Sequence, residues 1–132
     1  MSRKFEEKSS AVLSVLGNPF RVRLVIALAQ QEACVCHLET LLKKHQAYIS
    51  QHLMALRKAG LVNTRRDGKY IYYRMSNPAV VKLILQAALL AGISPDELPD
   101  MHKKGPLEKC ACPHCSEKQD PVENDLEEVN VA

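Results

Sequence analysis

Residues 46–75, QAYISQHLMALRKAGLVNTRRDGKYIYYRM, change period half-way, and that change decides the fold. Up to residue 59 the apolar Ile49, Leu53 and Leu56 recur at helical spacing, and Gly60 then offers a left-handed end that needs no side chain. From Leu61 onward the residues favour strands, and Asp67-Gly68 stands between two such runs, which predicts a β-hairpin. Arg65, Arg66 and Lys69 crowd the expected tip and make it an exposed finger of positive charge.

Working towards the N-terminus, Leu38, Leu41 and Leu42 share one side of a short helix over 35–44, which abuts the helix at 46–59. Before it, residues 10–16 and 19–29 read as two more helices separated by Gly17 and Asn18. Pro19 takes the first-turn position, where its missing N–H costs nothing, and Arg21 and Arg23 are expected to face outward. Towards the C-terminus, Asn77-Pro78 starts a last helix to residue 91 that is apolar on nearly all sides. So small a chain cannot cover such a helix, and a homodimer contact through it and the first helix is the expected solution.

Composition supports this reading and narrows it. The chain has 132 residues and is 46% apolar but only 5% aromatic, so its core must be aliphatic and it forms one small domain with a tail. A large multi-domain enzyme is excluded. No apolar run approaches the roughly 18 residues of a membrane span, and the opening MSRKFEEKSS lacks a secretory signal's apolar stretch, so a cytoplasmic location without membrane contact is expected. The net charge of +3 hides a division: residues 1–105 carry 16 basic against 8 acidic residues, residues 106–132 only 2 against 7. A basic body suits an anionic partner, and an acidic end repels it.

Two helices, a helix-turn-helix pair, a basic-tipped hairpin and a dimerising helix follow the order of a winged helix-turn-helix domain, mainly α with a β-hairpin wing. The expected division is a DNA-binding and dimerisation domain over 1–92, a linker over 93–108 and a cysteine-containing acidic tail over 109–132. In the recognition helix, Gln46, Tyr48, Ser50 and Gln51 lie near the N-terminal half that meets base edges, with His52 beside them. Because His52 adjoins the inward-facing Leu53, a packed, hydrogen-bonded histidine is the favoured reading there. Arg65, Arg66 and Lys69 on the wing would hold phosphate and set register rather than sequence.

Residues 16–75 also resemble the ArsR/SmtB family of bacterial metal-sensing repressors. The likeness rests on Leu16-Gly17-Asn18-Pro19 with Arg21 and Arg23, on Cys34-Val35-Cys36, and on Ile49-Ser50-Gln51-His52-Leu53. It continues in Leu56-Arg57-Lys58-Ala59-Gly60-Leu61-Val62 and the wing Arg66-Asp67-Gly68-Lys69-Tyr70. The resemblance implies a homodimer bound to an inverted-repeat, double-stranded operator and released by an effector.

Five cysteines fall into two groups, Cys34 with Cys36 and Cys110 with Cys112 and Cys115. In a reducing compartment, clustered thiols more often bind metal or do redox chemistry than form staples. The resemblance makes Cys34-Val35-Cys36 a thiolate site for soft ions. The spacing agrees, because at an unwound helix start residues two apart project to one side, and a helix N-terminus favours thiolate. Thiolates select As(III), Cd(II), Pb(II), Zn(II) or Cu(I), with As(III) favoured here.

Two thiolates are too few for such an ion. The family's third helix cysteine would fall at Glu39, and no N-terminal cysteine replaces it. Cys110, Cys112 and Cys115 of the tail can join Cys34 and Cys36, from the same or the other subunit, or close a separate site with or without His114. The family's zinc site on the last helix is expected to be absent, because residues 79–91 contain no Asp, Glu, His or Cys. His102 and Asp100 read as solvated.

Two rivals remain. The cysteines can report oxidants or sulfide on the same repressor frame. Alternatively, Cys112-Pro113-His114-Cys115 resembles the active-site tetrapeptide of thiol-disulfide oxidoreductases, but no strand precedes it and few residues follow.

Overall fold

The computed structural model describes residues 3–101. Five helices and three short strands follow one another in the order α1 (Arg3–Leu16), α2 (Pro19–Gln30), β1 (Ala33–Cys34), α3 (Val35–Leu42), α4 (Gln46–Lys58), β2 (Val62–Asp67), β3 (Tyr70–Met75) and α5 (Ala79–Leu90). A single 3₁₀ turn, Pro95–Glu97, comes after α5.

Helix α1 starts seven residues before the apolar pattern does. Its added turns carry no inward stripe and lie exposed, held by local interactions such as the Arg3–Glu7 ion pair at 3.0 Å, one helical turn apart. At Gly17–Asn18 the chain bends by 88° into α2. Asn18 caps that helix: its Oδ1 accepts from the backbone N–H of Phe20 at 2.9 Å and of Arg21 at 3.1 Å, with Pro19 just inside.

Helices α3 and α4 meet through a tight turn in which Lys43 is left-handed, with φ of 56°. Gly60, at φ 77°, ends α4 as its lack of a side chain allows. The hairpin β2–β3 turns at Gly68, φ 62°, with Asp67 opposite Tyr70.

The hairpin is part of a larger sheet than its sequence suggests. Strand β1, two residues long, pairs antiparallel with β3, giving the order β1-β3-β2. In one transverse row Cys34 of β1 is opposite Tyr72 of β3, and Tyr72 is opposite Arg65 of β2.

The core is aliphatic: Leu24, Val25, Leu38, Ile49, Leu53, Leu56 and Val62 are all at most 1% exposed. Phe20 and Tyr72 are its buried aromatics. Of α5 only Val80 and Ile84 are buried, while Leu83 and Leu90 stand exposed. Between α1 and α5 an apolar cleft of about 370 Å³ opens among Leu13, Leu16, Val22, Leu83, Ile84 and Ala87. No single helix among the described residues is long and apolar enough to cross a membrane.

Candidate nucleic-acid interface and thiol site

Helix α4 exposes Gln46, Tyr48 and Gln51, and half-buries Ser50 and His52. Tyr48 and His52 are not simply presented outward. Their rings meet edge to face at 4.7 Å between centroids, and both lie tilted against Phe20 of α2 at 4.8 and 5.2 Å. His52 Nδ1 accepts a hydrogen bond from Arg21 Nε at 3.0 Å, which fixes it as the unprotonated nitrogen. Burial, and after it the Arg21 cation, hold the His52 pKa below the usual histidine value. Arg21 thus does not face outward as its sequence position suggested: it is half-buried and also donates from Nη1 to the carbonyl of Val15 at 3.1 Å. Arg23 is exposed.

The three basic wing residues separate in the same way. Arg66 and Lys69 are exposed, and Lys69 Nζ lies 5.6 Å from the Tyr70 ring centroid. Arg65 does not join them at the tip. Its Nε donates to both carboxylate oxygens of Glu32 at 3.0 Å, and its guanidinium lies 4.6 Å over the buried Tyr72 ring. The hydrogen bond that Arg65 donates to the Glu32 carboxylate is the main reason the Arg65 pKa is raised. Arginines adjacent in a strand point to opposite faces, so one binds back across the sheet and the other is left to solvent.

The thiols lie where the sheet meets the helix-turn-helix. Cys34 ends β1 and caps α3, its Sγ accepting from the His37 N–H at 3.4 Å. Only 3% of Cys34 is exposed, while Cys36 is half-buried. Their sulfurs approach to 2.6 Å, as the spacing of two at a helix start predicts. His37 is buried and pairs its Nε2 with Gln31 Nε2 at 3.2 Å.

Both cysteines open on a cleft of about 350 Å³ whose other walls include Glu39, Gln46 and Ser50 of the helix pair and Lys69 and Tyr70 of the wing. Two thiolates and a carboxylate there suit a soft or borderline ion, but among the described residues no three His, Cys, Asp or Glu side chains converge closely enough to hold one. Cys110, Cys112, Cys115, His114 and His102 lie outside the described residues. Asp100 is exposed, and its backbone carbonyl accepts from Gln30 Nε2 at 2.6 Å.

Residues 18–64 match the profile of the bacterial regulatory proteins of the arsR family. A transcriptional repressor SmtB homolog from Synechocystis is 36% identical over 88 residues, 67% of each chain. The chain belongs to the ArsR/SmtB family of transcriptional regulators. Another member, the arsenic resistance transcriptional regulator ArsR1 of Pseudomonas putida, is 37% identical over 66% of this chain and 73% of its own. The solution structure of a homodimeric winged helix-turn-helix DNA-binding domain from Mycobacterium bovis, a possible ArsR-family regulator, superposes with a TM-score of 0.62. It is 29% identical and covers 79% of this chain and 94% of that one. Family membership makes this a DNA-binding repressor rather than an enzyme, and its fold is shared with a homodimeric neighbour.

Sequence reasoning missed Glu32 and Tyr72, the partners of Arg65. Glu32 carried a signal only as an acidic residue two positions before Cys34.

Proposed function

We propose that this repressor binds an inverted-repeat operator as a homodimer and lets go when a soft metal or metalloid, As(III) before Cd(II), Pb(II) or Zn(II), is bound by Cys34 and Cys36. Gln46, Tyr48, Ser50 and Gln51 contact base edges or adjacent phosphates, while Arg66 and Lys69 hold phosphate from the wing. Arg65 braces the wing from behind, and His52 holds the inner face of α4 against α2.

The observation that carries the reading is the shared cleft: the thiols open on the same space as Gln46, Ser50 and Lys69, residues assigned to DNA. An ion drawing Cys34 and Cys36 around itself there displaces walls that must keep their spacing to fit a groove and its flanking phosphates. A coupling of 1–3 kcal/mol, roughly 5- to 150-fold in affinity, is the usual scale of such linkage. The chemistry of the thiolate pair and the likeness to an arsenic resistance regulator support As(III) as the first choice.

The test is a titration of operator-bound protein with arsenite, cadmium, lead and zinc, followed by fluorescence anisotropy. Release by arsenite at the lowest concentration is expected. Release by peroxide or polysulfide, with indifference to all four ions, would replace this reading with an oxidant-responsive one.

A further inference from the structure

Arg65 stands in the middle of a wing strand, yet its guanidinium is bound to a carboxylate 33 residues earlier in the chain. Strand alternation sets the face it takes. Val62, Tyr73 and Met75 pack on the main core from one face of the hairpin. Arg65, Tyr72 and Cys34 form a row on the other, where Cys34 and Tyr72 make a small core of their own. Glu32, two residues before Cys34, reaches that row. Arg65 donates to its carboxylate from both Nε and Nη2, and the guanidinium lies 4.6 Å over the wholly buried Tyr72 ring.

Most surface ion pairs contribute little, and a bidentate arginine–carboxylate pair is the kind that does contribute. Here the arginine is also packed on an aromatic ring, and the two side chains are only 38% and 22% exposed. The pair joins two parts of the DNA-binding surface. Glu32 directly precedes β1, β1 runs into α3 with no loop between them, and α3 reaches α4 through residues 43–45. On the other side Arg65 is followed in β2 by Arg66, and Lys69 lies in the turn beyond. A carboxylate fixed to the helix-turn-helix thus holds the strand that carries the cations of the wing.

We infer that Glu32, acting through Arg65, is a positioning residue for DNA binding: it sets the wing against the helix-turn-helix before DNA arrives, so that Arg66 and Lys69 meet phosphate already ordered. This rests on the reading of Arg66 and Lys69 as phosphate contacts. The consequence runs against simple electrostatics. Removing an acidic residue from a DNA-binding domain ordinarily raises its affinity. Removing Glu32 lowers it, because a loose wing must be ordered on binding.

Operator affinity is measured by fluorescence anisotropy over a range of salt for the full-length native chain, Glu32→Gln, Arg65→Gln and the double variant. Glu32→Gln is expected to bind about twofold to tenfold more weakly for each wing engaged. The slope of log affinity against log salt should stay unchanged, since no phosphate contact is lost. The double variant should lose no more than the larger single loss, because both changes remove one interaction. In the free protein, amide hydrogen exchange of Glu32→Gln should quicken over residues 62–75 and stay native over Gln46–Lys58.

Native or tighter binding by Glu32→Gln, or a steeper slope, would show that Glu32 merely masks a phosphate-binding Arg65 and would overturn the inference. Additive losses in the double variant, unchanged exchange in the wing, or quickened exchange throughout the domain would overturn it as well. Replacing Arg66 and Lys69 together by alanine separates the two proposals. If that variant loses affinity and slope while Glu32→Gln binds as the native chain does, the phosphate contacts stand and the brace fails. If it loses neither, the phosphate contacts fall and the inference falls with them.

Discussion

Helices α3 and α4 form one helix-turn-helix, yet they begin in opposite ways. The start of α3 is wired into the protein: its cap, Cys34, is buried, accepts from the His37 N–H, and sits in a strand opposite Tyr72. The start of α4 is left open. His45 makes no side-chain capping bond, it is exposed, and Lys43 and Lys44 stand just before it. Uncapped N–H groups and the positive end of a helix dipole attract phosphate. One start is built to feel what happens inside the protein and the other to meet what lies outside, with a three-residue turn between them.

Five experiments bear on that contrast, and the largest effect comes from the core the two helices share. Leu38 of α3 is fully buried in the same cluster as Leu53 of α4. Leu38→Ala should cost about 2–5 kcal/mol in urea unfolding, and a loss below about 1 kcal/mol would show that α3 is not integral to the domain. Replacing Cys34 and Cys36 together by serine should leave operator affinity within about twofold but remove arsenite release, a coupling on the order of 1–3 kcal/mol. Unchanged release in that variant moves the sensor away from α3.

The open start is tested by closing it. His45→Asp supplies a capping carboxylate, so thermal unfolding should show a gain of about 0.5–1 kcal/mol while operator affinity falls through repulsion of phosphate. A gain in both would mean that the α4 start does not face DNA. On the wing, Lys69→Ala should lower the slope of log affinity against log salt by about 1, and Arg65→Ala should leave that slope unchanged because its charge is spent on Glu32.

The smallest effect concerns His52. Its pKa is lowered in the folded chain, so the unfolded chain takes up the proton first. This contribution to stability is complete above about pH 6.5 and is lost as the pH falls below it. His52→Gln should therefore narrow the difference in urea midpoint between about pH 7.5 and pH 5.5, and an unaltered difference would remove His52 from the account.

How much of this was legible depended on whether a feature repeats along the chain. Helices α2 to α5 and the hairpin declared themselves within a few residues, because their apolar residues recur at a regular period and Pro19, Gly60, Asp67-Gly68 and Pro78 mark several of their boundaries. The early turns of α1 did not, since residues 3–9 bury nothing and owe their helix to local pairs such as Arg3–Glu7. Strand β1 could not be seen either: two residues make no pattern, and only pairing with β3 makes them a strand. The nearness of Cys34 to Cys36 followed from spacing alone. The fate of Arg65 did not, because its partner lies 33 residues away and a charge does not say which opposite charge it will meet.

The bare apolar face along α1 and α5 has a consequence for the protein as a population. Leu13 is 58% exposed, Leu83 39% and Leu90 90% in a lone subunit, so covering this face in a dimer contributes to stability as well as to symmetry. Folding and association then draw on the same surface, and the resistance of each subunit to unfolding rises with the number of its copies. Dilution alone, with no effector present, would lower the fraction of chains able to meet DNA as a dimer.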